Sequence, residues 1–96
     1  MQTYLKEYIR NEKNGQPIGI IVAKKVDDDK VRIGFSLCNP KDRFDKTLGE
    51  KIALSRAESE RGYEFPRSKR YQDILMGRIS DITRRAKRYF KVTDIY

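Results

Sequence analysis

The feature that most limits how this chain can fold is a change of period near residue 39. Before it the pattern repeats at every second position: Leu5, Glu7 and Ile9 alternate with Tyr4, Lys6, Tyr8 and Arg10, and Ile18, Ile20 and Val22 alternate with Gly19, Ile21 and Ala23. Val31, Ile33, Phe35 and Leu37 carry the same repeat onward. Successive side chains of a strand point to opposite faces, so a period of two reads as β-structure. Asn14-Gly15 tolerates the positive φ of a tight turn, and Asp27-Asp28-Asp29-Lys30 forms a polar turn. Residues 1–38 are therefore expected to form a three-stranded antiparallel meander.

Beyond Leu37 the spacing becomes helical. Asn39-Pro40 stops the strand because proline lacks a ladder donor, and either Asn39 or Asp45 can cap a helix carrying Phe44, Leu48, Ile52, Ala53 and Ala57. Arg61-Gly62 closes it, glycine being suited to the left-handed conformation favoured at helix ends. Pro66 fits the first turn of a second helix about 25 residues long. In that helix Leu75, Ile79, Ile82, Ala86 and Tyr89 are spaced 4, 3, 4 and 3, the a/d seam of a helical hairpin or short coiled coil. The expected fold is a single α+β domain of order βββαα: a meander (1–38), a first helix region (39–62) and a long, amphipathic, basic second helix (63–96). It is expected to pack the meander against two antiparallel helices, and the seam also suits a homodimer.

The chain's 96 residues bound it to one small domain, and although 38% are charged, ten aromatics and several apolar runs argue against disorder. A lone Cys38 cannot form an internal disulfide, and no apolar stretch has signal or membrane length. A reducing, cytoplasmic setting without membrane contact is the expectation.

Charge points to a partner. Arg67 to Tyr96 carries 9 Lys/Arg against 3 Asp/Glu, whereas Met1 to Pro66 carries 13 against 11. A polyanion or an acidic protein surface would therefore be met by the C-terminal segment. Arg84, Arg88 and Lys91 recur at i, i+4 and i+7, flanked by Arg85 and Lys87 and preceded by Arg67, Lys69 and Arg70. Arginine forks match phosphate oxygens in pairs, so the stripe suits a nucleic-acid backbone. The competing reading is a solvated face whose cations complement the helix dipole and pair with Asp81.

A second constellation lies at the strand-to-helix junction. Lys41, Arg43 and Lys46 cluster around a helix start whose free N–H groups attract anions, with Ser36 and Asn39 as neutral hydrogen bonders and Gly49 allowing close approach. It is a candidate phosphate site. Asp42 and Asp45 compete for the same N–H groups, so simple capping is the alternative.

Other chemistry is poorly served. Asp27-Asp28-Asp29 lacks the spaced ligands, glycine and distal glutamate of a calcium loop, and without histidine there is no ordinary zinc site or acid-base triad. Cys38 has no histidine to deprotonate it and reads as a small packed residue. Neither a catalytic residue nor a cofactor is expected. A metal-dependent hydrolase using Glu7, Asp42 or Asp45 is a third reading, since carboxylates can converge in three dimensions.

The run GFSLCNPKDRFDKTLGEKIALSRAES, Gly34 to Ser59, resembles the core of small uncharacterised tailed-bacteriophage accessory proteins, in which a strand ends in a polar SLCNPKD turn and enters a basic helix. The resemblance implies a phage protein in the host cytoplasm that binds nucleic acid, sequesters a nucleotide signal or blocks a defence enzyme. It transfers no functional residue. Two classes follow: a non-catalytic anti-defence protein that binds nucleic acid or a phosphate-bearing nucleotide, or an inhibitor of a host enzyme that covers an acidic or nucleic-acid-binding surface with anchors such as Tyr71, Tyr89 or Phe90.

Overall fold

The computed structural model describes residues 3–11, 13–28, 30–38, 43–59, 69–93 and 95, with the side chain of Arg70 excepted. Strands β1 (Tyr4–Arg10), β2 (Pro17–Asp27) and β3 (Lys30–Leu37) form an antiparallel sheet in the order β1-β2-β3. Helices α1 (Lys46–Glu58) and α2 (Lys69–Phe90) follow, completing the βββαα order.

Turn chemistry sets the register. Gly15 takes φ +70°, Asn11 closes the loop by accepting from Gly15 N–H and donating to the Gln16 carbonyl, and the Asn14 side chain accepts from Gln16 N–H. Asp27 pairs with Lys30 across the second turn, a tight polar connection that holds no metal-ligand cluster among the described residues. Opposite residues are then Leu5 and Ala23, Glu7 and Ile21, Ile21 and Phe35, Ala23 and Ile33. Between Ile9 and Arg10 the register shifts, which places Ile18 with the same cluster as Ile21.

The two faces of the sheet carry different cores. Leu5, Ile9, Ile21, Ala23, Val31, Ile33 and Phe35 bury against Leu75, Ile82 and Ala86 of α2. Ile20 and Val22 bury against Ala53 and Ala57 of α1, with Tyr4, Tyr8, Phe44 and Leu54 around them. Because neighbouring strand residues face opposite ways, the sheet lies between the helices and β2 is buried on both faces. This corrects the expected helical hairpin: the 4-3-4-3 seam of α2 docks on the sheet, not on α1. Tyr89 leaves the seam, being 47% exposed.

The helices also run in the same sense. Lys46 lies over the Tyr8 ring, level with Ile20, and Glu58 pairs with Lys24, so α1 follows β2. Arg85 pairs with Glu7, while Arg88 and Tyr89 lie beside Leu5, so α2 follows β2 too. Two helices that each follow β2 cannot be antiparallel, whatever their apolar spacing suggested.

Close approach shapes the α1 layer. A Cβ on Gly34 would sit 2.2 Å from the Ala53 carbonyl oxygen and 2.4 Å from Ala57 N, so the helix backbone rests directly on the strand. The buried residues of α1 are Gly49, Ala53 and Ala57, while Leu48, expected on the apolar face, is 54% exposed. Asp45 is the cap, its side chain accepting from Leu48 N–H at 3.1 Å. α1 ends at Glu58 with an extended Ser59, ahead of Arg61-Gly62. Asn39, Pro40, Lys41, Asp42, Arg61, Gly62, Pro66 and Arg67 lie outside the described residues.

Past Phe90 the chain turns at Lys91, whose φ of 56° is the left-handed conformation usually given to glycine. Ile95 then bridges in parallel to Val31 at the outer edge of β3.

Candidate nucleic-acid interface

Burying Ile82 and Ala86 on the sheet turns the opposite side of α2 to solvent, and that side carries Arg84, Lys87 and Arg88 at i, i+3 and i+4, while Lys91, expected at i+7, falls just past the helix end, where the chain turns. All four are exposed. Arg84 pairs with Asp81 at 2.7 Å, with Arg78 on the same carboxylate at 3.9 Å. Lys87, Arg88 and Lys91 have no ion pair among the described residues. The expected basic set is thus only partly assembled: Arg84, Arg85, Lys87, Arg88 and Lys91 come together, whereas Lys69 begins the helix about 27 Å from Lys87 at 1.5 Å per residue. Arg67 and the side chain of Arg70 lie outside the described residues.

Arg85 faces β1. Its Nη1 donates to Glu7 Oε1 at 2.8 Å, and the Glu7 side chain, 15% exposed, keeps Oε2 buried without a hydrogen-bond partner. An acid in the row of Leu5 and Ile9 is costly unless paired, which explains why Glu7 sits where α2 brings an arginine. Glu7 is therefore an anchor for Arg85, and no group of three or more metal-ligating residues gathers among the described residues.

Beside this pair a groove of about 480 Å³ opens, lined by Leu5, Arg85, Arg88 and Tyr89. The Tyr89 ring stands edge-to-face on Phe90, with centroids 5.0 Å apart and planes at 89°. Phe90 in turn packs against the α2-side core. The charge pattern alone showed the cations of this groove but not its Leu5 wall, which lies 80 residues away in sequence and adjoins only through the β1–α2 packing.

The strand-to-helix junction is divided. Ser36 is buried and, with Arg43, lines a cleft of about 250 Å³ together with Leu37, Cys38, Phe44 and Arg56. Lys46 leaves this group and lies 5.3 Å from the Tyr8 ring centroid, with Arg10 at 5.8 Å from the same ring. Asp45 already occupies a helix N-terminal N–H group, and Arg56 donates from Nη1 to the Phe35 carbonyl at 2.9 Å. Asn39 and Lys41 lie outside the described residues. Arg56 carries no sequence signal for this cleft, since its approach depends on how closely α1 lies on Gly34.

On the β1 flank of α1, Tyr4 Oη donates to Glu50 Oε1 at 2.6 Å and Lys6 Nζ to the same oxygen at 3.3 Å. The Tyr4 hydrogen bond holds the Glu50 carboxyl below its ordinary range and raises the Tyr4 hydroxyl; the Glu50 bond raises the Lys6 ammonium. This network ties β1 to α1.

Comparison with protein-family models, curated proteins and solved structures yields no match. Among the described residues, no helix is long and apolar enough to cross a membrane.

Proposed function

We propose that this protein binds nucleic acid through the last two turns of α2, as a non-catalytic contact with the phosphate backbone. The observation that carries this reading is the set of exposed Arg84, Lys87 and Arg88 on one helix side, followed by exposed Lys91 just past the helix end, with Asp81 as the paired acid. A solvated face needs only enough charge to stay soluble; a stripe of one sign of charge, about 6 Å long from Arg84 to Arg88 and continued by Lys91, attracts a polyanion. Backbone contact of this kind carries no base sequence information, which suits a stripe without neutral base-reading side chains.

Salt dependence tests it. If all four cations neutralise phosphates, log Kd against log salt should have a slope magnitude near 3.6 on duplex DNA and near 2.8 on a single strand. Replacing all four with alanine should flatten the slope while changing the unfolding free energy by no more than about 2 kcal/mol, at about 0.5 kcal/mol for each exposed position. A wild type that is not retained on DNA or RNA at about 50 mM salt rules the reading out.

A further inference from the structure

The groove between β1 and the end of α2 offers more than charge. Its wall holds Tyr89, a residue 47% exposed whose ring stands edge-to-face on a core-packed Phe90, with apolar Leu5 at its side and two guanidinium groups nearby. Arg85 is further restrained by Glu7. A fixed aromatic loses little freedom on binding, and its π-face accepts any base. At about 480 Å³ the groove has the size of sites that take small ligand groups. Its cations make a phosphate-bearing occupant the complementary one, and its Tyr89-Leu5 lining provides an apolar seat beside them.

We infer that this groove receives one unpaired base of a single-stranded nucleic acid, stacked on Tyr89, with Arg88 holding an adjoining phosphate and Arg85 positioned by Glu7 at the groove wall. The inference rests on the nucleic-acid reading of α2 and adds its substrate class. Bases inside a duplex are paired and stacked on one another, so a duplex reaches the outer stripe but leaves the groove empty. The protein is thereby a single-strand binder, with the stripe supplying attraction and Tyr89 supplying selection.

Fluorescence anisotropy with a labelled oligodeoxythymidylate and a DNA hairpin of equal phosphate number, fully paired and closed by a non-nucleotide linker, tests this in wild type, Tyr89→Ala, Tyr89→Phe and the quadruple alanine variant. Tyr89→Ala should weaken oligodeoxythymidylate binding about 5- to 150-fold, the effect of losing one stacked base, and change hairpin binding by less than about twofold. Tyr89→Phe, which keeps the ring, should bind as wild type. The inference is overturned if Tyr89→Ala binds the oligonucleotide like wild type, if Tyr89→Phe is as weak as Tyr89→Ala, or if wild type binds the hairpin as tightly as the single strand. In those three cases a large loss in the quadruple variant leaves the α2 reading standing. Absence of wild-type binding to both probes overturns both. Thermal melts of each variant, matching wild type, establish that the comparison is between folded proteins.

Discussion

Replacing Gly34 with alanine tests the packing on which the architecture depends. The added methyl would lie 2.2 Å from the Ala53 carbonyl oxygen, 2.4 Å from Ala57 N and 2.9 Å from Ala57 Cα. All three are backbone atoms, so no side-chain rotation relieves the clash. Restoring about 3.4 Å of separation moves α1 away from the sheet by roughly 1 Å, and a gap of that size forfeits about a quarter to a half of each dispersion contact across the layer. Overpacking typically costs 1–3 kcal/mol, and the upper end, about 3 kcal/mol, applies where a whole helix must shift. A domain of 96 residues has a total stability of roughly 5–14 kcal/mol. The melting temperature should then fall by roughly 12–24 °C, at about 4–8 °C per kcal/mol. Urea denaturation followed by circular dichroism provides the measurement, with an unchanged m-value showing that the same cooperative unit unfolds. Gly77→Ala is the control: nothing lies within 4 Å of its added Cβ. In mid-helix it should stabilise by about 0.5–1 kcal/mol. If Gly34→Ala loses less than about 1 kcal/mol, α1 does not rest on Gly34 and the account of this layer is wrong.

Asp45→Ala removes the acceptor for Leu48 N–H and should cost about 1 kcal/mol in urea melts, whereas an unchanged midpoint would mean the cap lies elsewhere. Glu50→Gln addresses pH. Because the folded Glu50 carboxyl is held below its reference value of 4.5, its contribution to stability is present above that value and is lost as pH falls through the folded value. The midpoint difference between wild type and Glu50→Gln should therefore be present near about pH 6 and shrink toward about pH 3; a difference independent of pH would show that the Tyr4–Glu50 bond does not act through ionisation. Tyr4 contributes with the opposite sign: its hydroxyl is raised above 10.0, so its contribution is complete below that value and disappears as pH climbs through the folded value.

Local chemistry made much of this protein legible from sequence. A period of two, Gly15 at a positive φ, and Asp45 ahead of a helical repeat all act within a few residues, so strand order, turn positions and helix order could be read directly. The shared side of Arg84 and Arg88 was equally readable, because helical spacing alone sets it, whereas Lys91, expected on the same side, falls past the end of α2. Periodicity states that a face is apolar but not what covers it. The 4-3-4-3 seam of α2 suited a partner helix as well as a sheet, and the choice went to the sheet because Val31, Ile33 and Phe35 crowd large side chains onto that face. The opposite face carries Gly34 and Ser36, and only a helix with Gly49, Ala53 and Ala57 inward could come that close. The pairing of Glu7 with Arg85, the departure of Lys46 toward Tyr8, and the meeting of Leu5 with Tyr89 likewise join residues far apart in the chain. Such contacts arise from the relative placement of whole elements, which depends on the volumes packed between them, and volume is summed over the tertiary structure and not written at any one position.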